Sequence, residues 1–139
     1  LPSSLYQSKH YVFGTIVDIS IYGEKEEKAE EAAKAVLEEF TRLHNSLHAW
    51  KKSELTNLNE SISKSKPYTN ASSELIEIIK NARELEVTSN HLFNPAIGEL
   101  INYWGFHQDE LYPIHPNKSK IKSLVERRPS LSQLQISGT

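Results

Sequence analysis

Two histidines have the spacing of a metal-ligand pair. His44 and His48 are four residues apart in a stretch with helical periodicity, so their imidazoles lie on one helix face, where two such rings can chelate Zn²⁺. Asn45 stands where a zinc protease carries its glutamate, and no third ligand is obvious nearby. We interpret the pair as two solvated histidines, and a metal-binding helical module stays open as an alternative.

Three aromatic clusters are the other candidates for ligand contact. Each taken alone is more typical of a hydrophobic core than of a cofactor site. They are Phe13-Gly14-Thr15, Trp50 ahead of Ser53-Glu54, and Phe93-Asn94-Pro95 followed by Trp104-Gly105-Phe106.

Several familiar catalytic and binding motifs are absent from the sequence. There is no GxxxxGK[ST] phosphate loop, no GxGxxG and no GxSxG. Cysteine is absent as well, which excludes disulfides, thiolate metal sites and cysteine nucleophiles within these residues.

Length and charge narrow the class of protein further. The 139 residues amount to one domain or one piece of a larger domain. The net charge is −2, from 16 basic and 18 acidic residues, which gives no support to nucleic-acid binding. No run of about 18 apolar residues is present, so no transmembrane helix is predicted. The chain starts with Leu and lacks Met, and we expect it to derive from a longer protein.

Periodicity predicts an α/β (α+β) fold with helices packed on a mixed sheet. Residues 1–10 are polar and predict a linker, and residues 11–22 alternate as a strand. Gly14 inside that strand predicts a bulge or, alternatively, a close approach of the backbone to a ligand. The clearest helix is residues 24–48, where apolar side chains recur every three or four positions.

The rest of the chain predicts mostly helices. Residues 49–70 form an irregular connection around Trp50, and a second helix runs over about 71–87 with Asn70 as its N-cap. A third begins near Pro95 and ends at Gly105. Residues 117–126 predict a short helix and residues 131–136 a strand. Because strands without partners expose unpaired backbone groups, we expect the protein to continue beyond residue 139.

Taken together and in order, the aromatic clusters resemble the N-terminal half of the ApbE-type FAD:protein FMN transferases, once described as thiamine biosynthesis lipoproteins. The resemblance covers residues 11–139. The family motifs are Met-Gly-Thr, an aromatic residue, Ser-Glu-Leu with Leu-Asn, and Gly-Ala-Phe-Asp-Pro followed by Leu-Trp-Gly-Phe. The corresponding segments here are Phe13-Gly14-Thr15, Trp50, Ser53-Glu54-Leu55 with Leu58-Asn59, and His91-Leu92-Phe93-Asn94-Pro95 followed by Tyr103-Trp104-Gly105-Phe106.

The resemblance implies a substrate, a metal and a partner. Such proteins bind FAD and Mg²⁺ and transfer FMN to a Thr or Ser hydroxyl of a target protein, with release of AMP. It also implies five flavin-contacting positions, which suit an isoalloxazine ring because aromatic side chains supply flat apolar walls. These positions are Phe13, Trp50, Leu92, Phe93 and Asn94.

Two residues of this chain differ from the family motifs, and one part of the family's active site is expected outside the chain. Phe13 replaces the usual Met, and Asn94 replaces the usual Asp and so carries no charge. The Mg²⁺ ligands and the catalytic groups are expected beyond residue 139, so this chain alone is predicted to be inactive. The resemblance further implies an exported bacterial protein held at the membrane by a lipid outside this chain. A non-catalytic exported module that binds a flavin or a peptide is the alternative.

Overall fold

The structure, a computed structural model, describes residues 4–110 and 112–137. It divides into two compact units, Leu1–His48 and Ala49–Thr139. The predicted α+β class is confirmed, and the helices and strands follow in chain order. They are β1 (Leu5–Val12), β2 (Thr15–Tyr22), α1 (Glu26–Ser46), α2 (Glu54–Ser63), α3 (Ser73–Thr88), α4 (Gly98–Tyr103), α5 (Lys118–Glu126) and a 3₁₀ turn (Leu131–Gln133). No helix in the described ranges is long and apolar enough to cross a membrane.

The first unit begins with an antiparallel hairpin. Leu5 pairs with Tyr22 and Val12 with Thr15, and the two strands are joined by Phe13 and Gly14. Both turn residues have positive φ, +57° and +73°, as a two-residue hairpin turn with the right twist requires. The bulge predicted at Gly14 is therefore wrong, since this glycine lies in the turn.

The linker predicted over residues 1–10 is also wrong from Leu5 onward, where β1 begins. Side chains of β1 alternate between exposed and partly buried, and the inner face ends in the buried Val12. Polar side chains hid this alternation, because the inward positions include Ser8 and His10. Residues 1–3 of the predicted linker lie outside the described residues.

Helix α1 packs against both strands of the hairpin. It confirms the helix predicted over 24–48, with slightly shorter bounds. Its buried residues are Ala29 and Ala33, only 1% and 2% exposed. Because both side chains are almost fully buried, a larger residue at either position would have to displace its packed neighbours.

The second unit contains a helix that the sequence did not predict. Helix α2 lies within the supposedly irregular 49–70 segment, and its N-cap Ser53 forms a capping box with Thr56. The Glu54 carboxylate then accepts hydrogen bonds from the Ser72 backbone N–H at 2.6 Å and from its hydroxyl at 2.8 Å. Ser72, not the predicted Asn70, is the N-cap of α3.

The later elements match the sequence prediction in part. Helix α5 forms as predicted, with the Asn117 side chain accepting hydrogen bonds at its N-terminus. Gly105, at φ +79°, follows the end of α4 as predicted. Pro95 was expected in the first turn of that helix but precedes it, since α4 begins at Gly98. The strand predicted over 131–136 is instead a 3₁₀ turn followed by residues outside any strand.

The close packing of α1 gives a stability prediction. We expect Ala33→Leu to destabilise the protein by about 1–3 kcal/mol, because an added isobutyl group has to displace packed neighbours. Thermal unfolding followed by circular dichroism measures the effect. The control is Ala32→Leu at the adjacent exposed position of the same helix. Equal melting temperatures for the two variants would contradict the packing described for Ala33.

Candidate functional site

Trp50 presents its indole ring at the surface of the second unit. The side chain is 41% exposed, and its ring stacks on the imidazole of His107, with centroids 5.6 Å apart and planes tilted by 21°. Next to it, Lys51 Nζ lies 2.9 Å from Asp109 Oδ1. Two neighbouring contacts thus attach the segment before α2 to the loop after α4, and they fix the orientation of the indole.

The sequence analysis did not identify His107 as a candidate site residue. Burial lowers the pKa of its imidazole below the usual value, because partial desolvation disfavours the charged form. At neutral pH the ring is therefore an uncharged aromatic surface stacked on Trp50. Its position directly after Trp104-Gly105-Phe106 was the one available signal, and the sequence did not show that the loop folds back to Trp50.

The second predicted group lies in the loop between α3 and α4. Leu92 is 91% exposed and Phe93 is 46% exposed, so both present apolar surface to their surroundings. The loop leaves α3 through two residues with left-handed backbone, Asn90 at φ +53° and His91 at φ +62°. The backbone of Phe93 is fixed by a hydrogen bond from its N–H to Ser89 Oγ at 3.1 Å.

Asn94 uses both ends of its amide to hold the backbone. Its Nδ2 donates to the Pro129 carbonyl at 2.8 Å, and its Oδ1 accepts from the Ala96 N–H at 2.9 Å. An aspartate could accept from Ala96 but, when ionised, has no hydrogen to give to Pro129. The amide that departs from the family motif is therefore matched to its surroundings. One N–H and one lone pair remain for a ligand, and flavin contact by Asn94 stays a prediction.

A buried carboxylate lies behind this loop. Glu86 on α3 is 1% exposed. Its Oε1 lies 3.2 Å from His91 Nδ1, and its Oε2 accepts from the Leu131 N–H at 3.0 Å. A hydrogen bond with the Ser130 side chain is the largest influence on this group, and with the Leu131 and His91 contacts it lowers the pKa of Glu86 although burial opposes the shift. The carboxylate is thus held in its ionised form.

A cavity of about 860 Å³ adjoins these residues in the second unit. Glu86, His91 and Asn94 line it together with residues from α4, α5 and the segment that follows α5. One wall carries Arg127, whose guanidinium binds Glu99 at 2.7 Å. The polar residues at the two ends of the segment 91–94, His91 and Asn94, thus face this cavity.

Phe13, the remaining predicted residue, belongs to the first unit. It lies at the tip of the hairpin and is 47% exposed. Its ring centroid is 5.6 Å from that of Phe40 and 5.9 Å from that of His44. His44 in turn meets His48 edge to face at 5.0 Å. Across residues 4–110 and 112–137, no group of three or more His, Cys, Asp or Glu could hold a metal ion.

The chain matches one protein family over most of its length. The model of the ApbE family matches residues 13–138. An FAD:protein FMN transferase of Rhodobacter capsulatus is 30% identical over 129 residues, which is 93% of this chain and 24% of that relative. The chain therefore spans about a quarter of the length of this curated relative.

Two solved structures have a similar fold. The first is the ApbE protein of Thermotoga maritima, with a TM-score of 0.81 and 18% identity over 96% of this chain and 42% of that one. The second is the flavin transferase ApbE of Vibrio cholerae, with a TM-score of 0.70 and 18% identity over 99% of this chain and 44% of that one. The chain spans less than half of either structure.

The hydrogen bonds of Asn94 give a prediction that needs no ligand. We expect Asn94→Asp to lower the free energy of unfolding at pH 7 by about 1–3 kcal/mol, because the Pro129 carbonyl loses its donor and faces a carboxylate instead. Urea unfolding of the flavin-free protein measures the change. Asn81→Asp, at an exposed position of α3, is the matched control. A stability loss no larger than that of the control would show that the Pro129 contact does not matter.

Proposed function

We propose, because the chain belongs to the ApbE family, that the intact protein containing it is an FAD:protein FMN transferase. In this proposal the residues of this chain form flavin-binding walls, and the Mg²⁺ ligands and catalytic groups are supplied by other residues of the intact protein. The chain contains no described carboxylate or histidine cluster that fits a metal, so no step of the reaction is assigned to a metal held by these residues.

The observation that carries the proposal is the half-exposed indole of Trp50 stacked on His107. A tryptophan that only anchored the core would be buried on all sides. This ring is stacked on His107 and yet keeps 41% of its surface exposed to a ligand. A rigid, flat, apolar surface suits the isoalloxazine of FAD, since stacking on it costs little side-chain entropy. The exposed ring of Phe93 offers a second surface of the same kind.

The reaction that we propose is a phosphoryl transfer. The hydroxyl oxygen of a Thr or Ser on an acceptor protein attacks the phosphorus of the FMN half of FAD. A P–O bond forms, the pyrophosphate P–O bond breaks, AMP leaves with the bridging oxygen and the hydroxyl proton is released to solvent. Positioning dominates catalysis of such transfers, so the contribution of this chain is to hold the flavin end while the phosphates react elsewhere.

The cellular setting belongs to the proposal as well. We infer an exported bacterial protein that a lipid anchor, attached outside this chain, holds at the cell membrane. The support for this location is the resemblance of the sequence motifs alone. An acceptor protein and FAD are the partners in this setting, and the same setting would suit the alternative of a non-catalytic module.

The transfer itself can be tested directly. We expect the intact protein, incubated with FAD, Mg²⁺ and a Thr-containing acceptor protein, to give a fluorescent acceptor band in a denaturing gel. The same reaction with EDTA in place of Mg²⁺ is the control. We expect residues 1–139 alone to give no band, because the part of the chain that the structure describes contains no cluster able to hold the metal. FAD binding by the intact protein without any transfer would favour the non-catalytic alternative.

Trp50 can be tested by binding. We expect Trp50→Ala in the intact protein to weaken FAD binding by about two- to twelvefold, since a stacked aromatic pair is worth about 0.5–1.5 kcal/mol. Flavin fluorescence on titration measures the affinity. The melting temperature of the flavin-free protein should change little, whereas loss of a core tryptophan would cost about 3–5 kcal/mol.

Tyr22→Ala provides the matched control for Trp50, because Tyr22 is a 69% exposed aromatic outside the proposed site. It should leave the FAD affinity unchanged. A strongly destabilised Trp50 variant whose folded fraction binds FAD normally would show that the tryptophan is structural and that the assignment is wrong.

A further inference from the structure

We propose that Glu86 is the positioning residue for the flavin-binding loop, residues 91–94, an inference that rests on the function proposed above. Its carboxylate lies behind the loop, almost completely buried, and faces His91 at the loop's first position. It is a positioning residue because it acts on the flavin only through the residues that it holds.

The backbone at the start of the loop needs such support. His91 has φ +62° and follows Asn90 at φ +53°, so two residues with side chains occupy the left-handed region in succession. This region is costly for residues other than glycine. Glycine takes positive φ without strain, so a glycine at position 91 would need no such support.

Glu86 supplies two contacts that hold His91 in this conformation. The Glu86 backbone carbonyl accepts from the His91 N–H at 2.8 Å, and its side-chain Oε1 lies 3.2 Å from His91 Nδ1. The second contact requires both the histidine side chain and the carboxylate. The His91 side chain is itself 64% exposed, so its one described anchor is the buried acid.

The end of the loop is attached to the same structure. Asn94 donates to the Pro129 carbonyl, and Leu131, two residues further on, donates to Glu86 Oε2. Arg83, one turn earlier on α3, donates to the carbonyls of Leu131 and Leu134 at 3.1 and 2.6 Å. Both ends of the loop are thus hydrogen-bonded either to Glu86 or to the segment that Glu86 holds. The exposed Leu92 and Phe93 lie between these two ends.

His91, the exposed partner of Glu86, gives the variants that are least disruptive to folding. In the intact protein, we expect His91→Ala to weaken FAD binding by about tenfold, because alanine keeps the left-handed strain and loses the bond to Glu86. We expect His91→Gly to bind FAD within about twofold of the wild type, because glycine needs no such bond. Titration of FAD fluorescence gives the affinities.

A second comparison tests Glu86 itself. Glu86→Ala should weaken FAD binding by about tenfold when His91 is present and by less in the His91→Gly background, where the side-chain contact to residue 91 is already absent and only the contacts to Ser130 and Leu131 are left to lose. Glu84→Gln, at an exposed position of the same helix, is the control and should have no effect. A merely structural role for Glu86 would lower the affinity equally in both backgrounds. If Glu86→Ala does not fold, the two His91 variants decide the matter alone.

The outcomes separate this inference from the proposed function. Wild-type affinity in His91→Ala, or equally weak binding by His91→Ala and His91→Gly, would overturn the positioning role while the intact protein still binds FAD. Absence of FAD binding by the wild-type intact protein would overturn the proposed function, and this inference with it.

Discussion

A single buried carboxylate organises the part of the second unit that carries most of the candidate site. Burying an ionised group is costly unless several donors compensate the lost hydration. Glu86 meets this demand with the Ser130 side chain, the Leu131 N–H and the His91 imidazole. These donors come from two segments far apart in sequence. The need of one buried charge for hydrogen-bond donors therefore joins the end of α3, the loop of residues 91–94 and the turn after α5.

The same segment explains the amide at position 94. The Leu131 N–H donates to Glu86. The Pro129 carbonyl, two residues earlier, faces the loop of residues 91–94 and needs a hydrogen-bond donor there. Asn94 provides that donor, whereas the aspartate of the family motif could only accept. His91 contacts the Glu86 carboxylate itself, and Asn94 contacts the segment that carries Leu131. A local variation in sequence is thus accommodated by a matched set of hydrogen bonds.

Helical periodicity was sufficient to predict the helices that bury a clear apolar stripe, and it failed where polar contacts determine the structure. Helix α1 follows from its repeat of apolar residues, but α2 is supported by the Ser53–Thr56 capping box, which the prediction overlooked. The 131–136 segment alternates like a strand, yet its carbonyls bind Arg83. For the site, sequence motifs suggested Trp50 and Phe93, but neither His107 nor Glu86 could be found, because their roles depend on contacts between distant segments.

Two exposed apolar residues of the second unit, Trp50 and Leu92, differ in how strongly their side chains are restrained. This difference determines which kind of ligand surface each one suits. The indole of Trp50 is stacked on His107, so little freedom remains to be lost when a flat ring binds to it. Leu92 is 91% exposed, so any ligand or protein segment that covers it has to offset the rotamer entropy that its side chain loses. In the proposed site, the fixed indole is therefore the surface suited to a planar ring, and Leu92 is the contact that can adjust to the ligand's shape. Because the backbone of Phe93 is bonded to Ser89 and Asn94 is bonded to Pro129, the Leu92 side chain can change rotamer without displacing either residue.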